Sequence, residues 1–234
     1  MNRVIAIIPA RGGSKRLPKK NILHFCGKPL LAWTIEAAQG AGVFDRIVVS
    51  TDSEEIASVA RDWGAEVPFL RDAYADDHSP VSSATIAALR QCKLFYGEDY
   101  EQVVQLMPNC PLRTAKDIVE ALQHYAAHEA TPQISSFRFG WMNPWWAVTL
   151  DEQLHPAPLF PRTRGQRSQD LPTLYCPSGA IWISPVPRLI QAGTFYSDGY
   201  IFHPMRWEAA IDIDDEEDLR MARSLFAMSR EQAV

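Results

Sequence analysis

With 234 residues, 47% of them hydrophobic and 22% charged, the chain can bury a sizeable core as one large α/β domain. Its formal net charge of −5 argues against a general nucleic-acid binder. Cys26, Cys92, Cys110 and Cys176 form no CxxC pair, which suits a reducing cytoplasm better than a disulfide framework or a zinc site. No apolar run reaches membrane-spanning length, and Val4–Ile8 is too short for a secretory signal, so a cytoplasmic location without a membrane partner is expected.

Val4-Ile5-Ala6-Ile7-Ile8 reads as a short strand buried on both faces and ended by Pro9, which cannot donate to a ladder. Arg11, Gly12, Gly13, Ser14, Lys15, Arg16, Lys19 and Lys20 follow at once. Adjacent glycines predict positive φ, with N–H groups turned toward one point, and the surrounding cations suit a polyphosphate. A solvated basic loop is the plainer alternative. The buried strand running straight into Gly-Gly favours the phosphate site. Neither GxGxxG nor GxxxxGK[ST] occurs, so this is no dinucleotide fingerprint and no P-loop.

Next, Pro29 opens a helix over Leu30–Ala41, closed by Gly40 and Gly42. Arg46–Ser50 reads as a second buried strand, and Asp52 or Ser53 caps a helix running to Asp62. A third strand is expected over Glu66–Leu70, ending at Arg71. Strands alternating with helices of this length predict βαβ units, a parallel sheet and a ligand crevice at the strands' carboxyl ends. Arg11, Asp52 and Arg71 would face that crevice. Asp76-Asp77-His78-Ser79-Pro80 reads as a loop whose acids cap the following helix, Ser82–Tyr96, rather than bind metal. Glu101–Met107 is a fourth strand, followed by a turn through Pro108, Asn109 and Pro111 and a helix over Ala115–His128.

From Gln133 to Pro172 the helical periodicity is lost, and Phe137, Phe139, Trp141, Trp145, Trp146 and Phe160 crowd among prolines. Such an excursion is either a lobe packed on the domain or a surface awaiting a partner, and composition does not choose. Arg162, Arg164 and Arg167 offer guanidinium groups to a carboxylate-bearing substrate, or else form a charged loop. Near the C-terminus, alternation along a strand would place Asp212 and Asp214 side by side. Paired carboxylates repel unless a cation lies between them, and their hard oxygens suit Mg²⁺. Asp215–Asp218 read instead as acids opening a last helix, Glu216–Met228.

Several of these segments resemble the acylneuraminate cytidylyltransferases. The stretch Ile8-Pro9-Ala10-Arg11-Gly12-Gly13-Ser14-Lys15, with Pro18, Lys20 and Asn21, matches that family's opening IPARGGSKxxPxKN. Pro108, Pro111, Leu112 and Arg113 match its LQPTSPLR; Gln169–Pro172 and Ser178–Ile183 resemble its RRQDLP and NGAIYI segments; Asp212–Leu219 reproduces DIDxxxDL. The matches span residues 4–219.

The resemblance implies a Rossmann-like, mostly parallel twisted sheet flanked by helices, of the nucleotidyltransferase type A kind. It implies one cytidylyltransferase domain over 1–234, carrying an inserted lobe at 133–172 that dimerises and reaches the partner's sugar pocket. The reaction implied is transfer of CMP from CTP to the anomeric hydroxyl of a nonulosonic α-keto acid sugar, with release of pyrophosphate. Ala10, Arg11, Gly12, Gly13, Ser14, Lys15, Lys20, Asn21, Arg71 and Ser82 would hold the nucleotide. Asp212 and Asp214 would hold Mg²⁺ or Mn²⁺, and with Arg11 and Lys20 would form the catalytic set.

Met107, Arg162, Arg164, Arg167, Gln169 and Ser178 would form the sugar side. Met107 and Ser178 stand where the family has glutamine and asparagine, which points away from a plain N-acetylneuraminate enzyme and toward pseudaminic or legionaminic acid. A synthetase for the eight-carbon acid Kdo, another sugar nucleotidyltransferase and a non-catalytic nucleotide-sugar-binding scaffold are the alternatives. A scaffold would need neither the phosphate loop nor the acid pair. The histidines (His24, His78, His124, His128, His155 and His203) occupy no recognisable catalytic setting.

Overall fold

A computed structural model describes residues 3–72 and 80–231; the Asp76–Ser79 loop acids and His78 lie outside the described residues. In chain order the elements are β1 (Val4–Pro9), the hairpin β2 (His24–Phe25) and β3 (Lys28–Pro29), α1 (Leu30–Ala41), β4 (Arg46–Ser50) and α2 (Glu54–Asp62). Next come α3 (Val81–Tyr96), β5 (Gln102–Gln105), α4 (Ala115–Ala127), β6 (Gln133–Arg138) and a second hairpin, β7 (Val148–Leu150) with β8 (Pro156–Pro158). The chain ends with β9 (Tyr175–Pro185), α5 (Val186–Ala192), β10 (Ile201–Pro204) and α6 (Glu216–Glu231). Among the described residues no helix is long and apolar enough to cross a membrane.

The central sheet has the order β10-β6-β9-β5-β1-β4. Strands β4, β1 and β5 pair in parallel, as do β10 and β6, while β9 runs antiparallel between β5 and β6. All strands but β9 therefore point the same way, and their carboxyl ends share one edge. The alternation of β1 explains its double burial. Ala6 and Ile8 pack toward α1, α2 and α4, whereas Ile5 and Ile7 pack toward α3 and α5. Removing each of these isoleucine side chains from water stabilises the fold by about 1.5–3 kcal/mol.

A smaller apolar cluster positions the site. Leu17, within the basic loop, and Phe25, just after it, pack with Leu30, Ile211, Ile213, Leu219 and Ala222. Burying Ile211 and Ile213 in this cluster turns the alternate residues, Asp212 and Asp214, away from it. Beneath the turn after β5, Arg113 is fully buried; it donates to the carbonyls of Met107 and Ala180 at 3.2 and 2.7 Å and to Thr34 Oγ1 at 2.6 Å.

Four expectations need correction. The strand expected over Glu66–Leu70 is reduced to a single parallel bridge between Val48 and Glu66. Pro68 explains the loss, since it has no N–H for the next ladder position. The Asp212–Asp214 segment belongs to no strand, although its extended backbone keeps the in–out alternation. Gly12 and Gly13 do not adopt positive φ. Gly12 instead sits close against the turn after β4: a Cβ there would lie 3.2 Å from Ser53 Cβ, a tight contact that one of the two would have to relieve by a small shift. Positive φ occurs at Lys19 and at Cys26-Gly27, the tight β2–β3 turn. The irregular region is also shorter than 133–172, since Gln133–Arg138 is a strand of the main sheet.

Candidate active site

The carboxyl edge of the sheet opens into a cleft of about 340 Å³. From β1 and its loop come Arg11, Ser14, Arg16, Lys20 and Asn21; from beyond β4 comes Arg71; from the turn after β5 come Met107, Pro108 and Asn109. Asp212 and Asp214 form the facing wall. A larger hollow of about 480 Å³ lies behind that turn, lined by Trp33, Leu112 and Phe226. Its charged groups are of mixed sign, Glu36 and Glu208 beside Arg206, so it offers no focused field for an anion. The smaller cleft is the candidate site because its cations converge.

Hydrogen bonds shape the basic loop. Asn21, itself buried, donates through Nδ2 to the Arg11 carbonyl at 2.9 Å and closes the loop's two ends on each other. The Gly12 amide donates to Asp52 Oδ1 at 2.8 Å, and the Ala10 amide to the Ser50 carbonyl at 2.9 Å, so both amides are engaged within the protein. Lys19 turns away to Glu55 at 2.8 Å, while Gly13 and Lys15 are exposed and lie outside the cleft lining. The Arg71 side chain is buried and its Nε has no hydrogen-bond partner. Burial lowers its pKa; Asp52 raises it and the neighbouring Arg11 lowers it further. Two guanidinium groups held close enough to repel make a receptive site for a multiply charged anion.

On the facing wall, Lys20 Nζ lies 2.7 Å from Asp214 Oδ1, and Arg16 pairs with Asp214 Oδ2. Asn109 donates through Nδ2 to Asp212 Oδ1 and stands 3.5 Å from Asp214 Oδ1. Loss of solvent pushes the Asp212 carboxyl up to about 6, with the negative charge of Asp214 the next cause. Burial also pushes Asp214 up, but its bonds and attraction to Lys20 and Arg16 outweigh that and hold it below the usual carboxylate range. The protein thus sets one carboxylate against internal cations and leaves its neighbour short of positive charge.

Of the residues read from the sequence, Arg11, Ser14, Lys20, Asn21, Arg71, Met107, Asp212 and Asp214 meet in this cleft. Ser82 does not line it, and its hydroxyl accepts from the Phe195 amide at 3.3 Å, although Val81 and Ala84 from the same helix do border it. Ser178 is buried against Ser135, Oγ to Oγ 2.9 Å. Arg162, Arg164, Arg167 and Gln169 are exposed on the irregular region and reach no part of this chain's own cleft. Arg16 was read only as one of the loop's cations and not as a named nucleotide contact, and Asn109 was not read as a site residue. The signal for Arg16 was its place among the loop cations; that for Asn109 was a polar residue in a proline-bounded turn just after a buried strand.

This geometry, an anion-receptive loop facing paired acids across the carboxyl edge of a mostly parallel sheet, is that of a nucleotidyltransferase. The sequence pattern of the family described as Cytidylyltransferase matches residues 5–148, and the chain belongs to that family. Pseudaminic acid cytidylyltransferase of Campylobacter jejuni subsp. jejuni serotype O:23/36 (strain 81-176) is 31% identical over 229 residues, 98% of each chain. CMP-N,N′-diacetyllegionaminic acid synthase of Legionella pneumophila is 34% identical, covering 99% of this chain and 100% of that one. Among solved structures, a CMP:2-keto-3-deoxy-manno-octonic acid synthetase complexed with CTP superposes with a TM-score of 0.69. It covers 97% of this chain and 99% of its own at 17% identity, a likeness of fold.

Proposed function

We propose that this enzyme transfers CMP from CTP to the anomeric hydroxyl of a nonulosonic acid sugar. The hydroxyl oxygen forms a bond to the α-phosphorus, the bond between that phosphorus and the α–β bridging oxygen breaks, and pyrophosphate leaves. The observation that carries this reading is the convergence of Arg11, Lys20 and Arg71 opposite Asp212 and Asp214 in one cleft. Charge grows on the departing pyrophosphate, so fixed cations aimed at it lower the barrier without reorganising. Arg11, Ser14 and Lys20 would hold the triphosphate, and Arg71 the nucleotide's inner end. Near full sequence coverage by sialic-type relatives supports the choice of acceptor.

The acid pair fits Mg²⁺ or Mn²⁺. Two hard oxygen donors stand together, one of them short of positive charge, and the other is neutralised by lysine and arginine standing in for a cation. A bound metal would supply charge neutralisation at the phosphates and lower the pKa of the sugar hydroxyl. The four free cysteines fit a cytoplasmic setting.

A homodimer is part of the proposal. Trp141, Met142, Trp146, Leu150, Leu154 and Leu159 are all exposed on the irregular region, apolar side chains that a second copy of the chain would cover. Since Arg162, Arg164 and Arg167 miss their own cleft, a partner's cleft is where they would grip a sugar carboxylate. Trp145 is unsuitable as a probe of this interface. It packs on Phe160 at 5.0 Å and donates to the Pro172 carbonyl at 2.9 Å, so it holds the region itself together. Trp141→Glu with Trp146→Glu is expected to halve the mass seen by light scattering. An unchanged mass rejects this interface.

Pyrophosphate release with CTP and Mg²⁺ tests the reaction across N-acetylneuraminate, legionaminate, pseudaminate and Kdo. Turnover of a nine-carbon acid is the expected result. Turnover of Kdo alone would select the eight-carbon reading. Silence with all four overturns the proposal.

A further inference from the structure

We infer that Asn109 is the positioning residue of the acid pair, a neutral donor that fixes how Asp212 and Asp214 present their oxygens to a divalent cation. The inference rests on the proposed metal role of that pair.

The acids occupy a segment that no sheet ladder holds, so their placement must come from elsewhere. Asn109 holds them at several points. Its carbonyl accepts from the Ile213 amide at 2.9 Å. Its side-chain Nδ2 donates to Asp212 Oδ1, approaches the Ile213 carbonyl at 3.4 Å and stands 3.5 Å from Asp214 Oδ1. One amide group thus spans both carboxylates and the peptide between them. The residue is rigidly held, being 3% exposed and set between buried Pro108 and Cys110 at the end of a central strand.

The unused half of the amide strengthens the case. Asn109 Oδ1 is buried without a hydrogen-bond partner. Leaving a buried acceptor without a partner destabilises the fold, a cost that an apolar residue of similar shape would avoid. Reversing the amide would set Oδ1 against two carboxylates, so the orientation is fixed by charge. Stability alone does not explain a polar residue with one end stranded. Placement of its other end does. A neutral donor here also restrains the carboxylates without adding positive charge, so the pair keeps its pull on a metal ion.

Partners that orient metal ligands typically contribute 10–100-fold in metal affinity or activity when removed. The test uses Mn²⁺ as the probe, its binding to the full-length protein with saturating CTP read by electron paramagnetic resonance. CTP affinity is measured separately without metal. Asn109→Leu, close in shape, is expected to weaken Mn²⁺ at least tenfold while metal-free CTP affinity stays within twofold. Mn²⁺ affinity unchanged in that variant overturns the inference. A parallel fall in metal-free CTP affinity also overturns it, since a merely structural role would loosen the whole turn. If Asn109→Leu does not fold, Asn109→Ala is read on the same scale. Asp214→Asn serves as the control. If it binds Mn²⁺ as the wild type does, the metal reading itself fails, an outcome distinct from failure at Asn109 alone.

Discussion

Asp214→Asn should reduce turnover by three orders of magnitude or more while leaving the fold and CTP binding in place. Several kcal/mol of charge stabilisation at the phosphates would be lost with the ligand, and each 1.36 kcal/mol is tenfold in rate. Folding should change little, for reasons that partly cancel. Asp214 is half open to solvent, so its pairs with Lys20 and Arg16 contribute on the order of 0–1 kcal/mol. Because its pKa is depressed on folding, that contribution is present above its unfolded pKa and fades as the pH falls through the carboxylate range. Asp212 acts in the opposite sense. Its folded pKa of about 6 lies above the unfolded value, so ionising it destabilises the fold as pH rises through 6. Neutralising Asp214 removes the like charge that contributes to this and returns some stability at neutral pH. Pyrophosphate release and a thermal melt at pH 7 check both halves. Near-normal turnover would remove Asp214 from the chemistry.

That contrast between neighbouring acids could not be read from DIDxxxDL, which gives their identity and spacing but not their surroundings. The sequence did carry the outline of the site. Val4–Ile8, Leu30–Ala41 and Arg46–Ser50 have strong local signals, continuous apolar runs or a helix with a turn on each side, and they appear within a residue of their expected bounds. Glu66–Leu70 failed on a signal that was visible, Pro68, outweighed by the apolar residues around it. Gly12 was singled out for a positive φ that it does not adopt. What distinguishes it is its close approach to Ser53, a contact set by how the loop after β4 folds back.

Asn109 was hidden for a different reason. Its partners lie more than a hundred positions away in the chain, and nothing local marks an asparagine in a turn as a clamp on distant acids. Arg162, Arg164 and Arg167 show the converse. Their composition suits a carboxylate, yet no chain-local argument could say that they miss their own cleft.

Lys20 supplies the second large effect. Lys20→Met should weaken CTP by roughly 10–150-fold, the equivalent of about 1.5–3 kcal/mol for a charge-assisted contact. The magnitude should hold at moderate salt because the Lys20 side chain is only 15% exposed and poorly screened. The same change removes the better buried of the two cations paired with Asp214, 2.7 Å away, and one that also lowers the Asp212 pKa. Without nucleotide, the variant leaves two carboxylates facing each other with Arg16, largely exposed, as the remaining counter-charge. Its melting temperature should therefore fall below that of the wild type, and Mg²⁺ should raise it more than it raises the wild type's. A lysine that served only the triphosphate would show the CTP defect alone, with melting and its response to Mg²⁺ unchanged. Finding both defects would mean that the phosphate loop and the acid pair share one charge balance, with Lys20 passing between them as CTP enters.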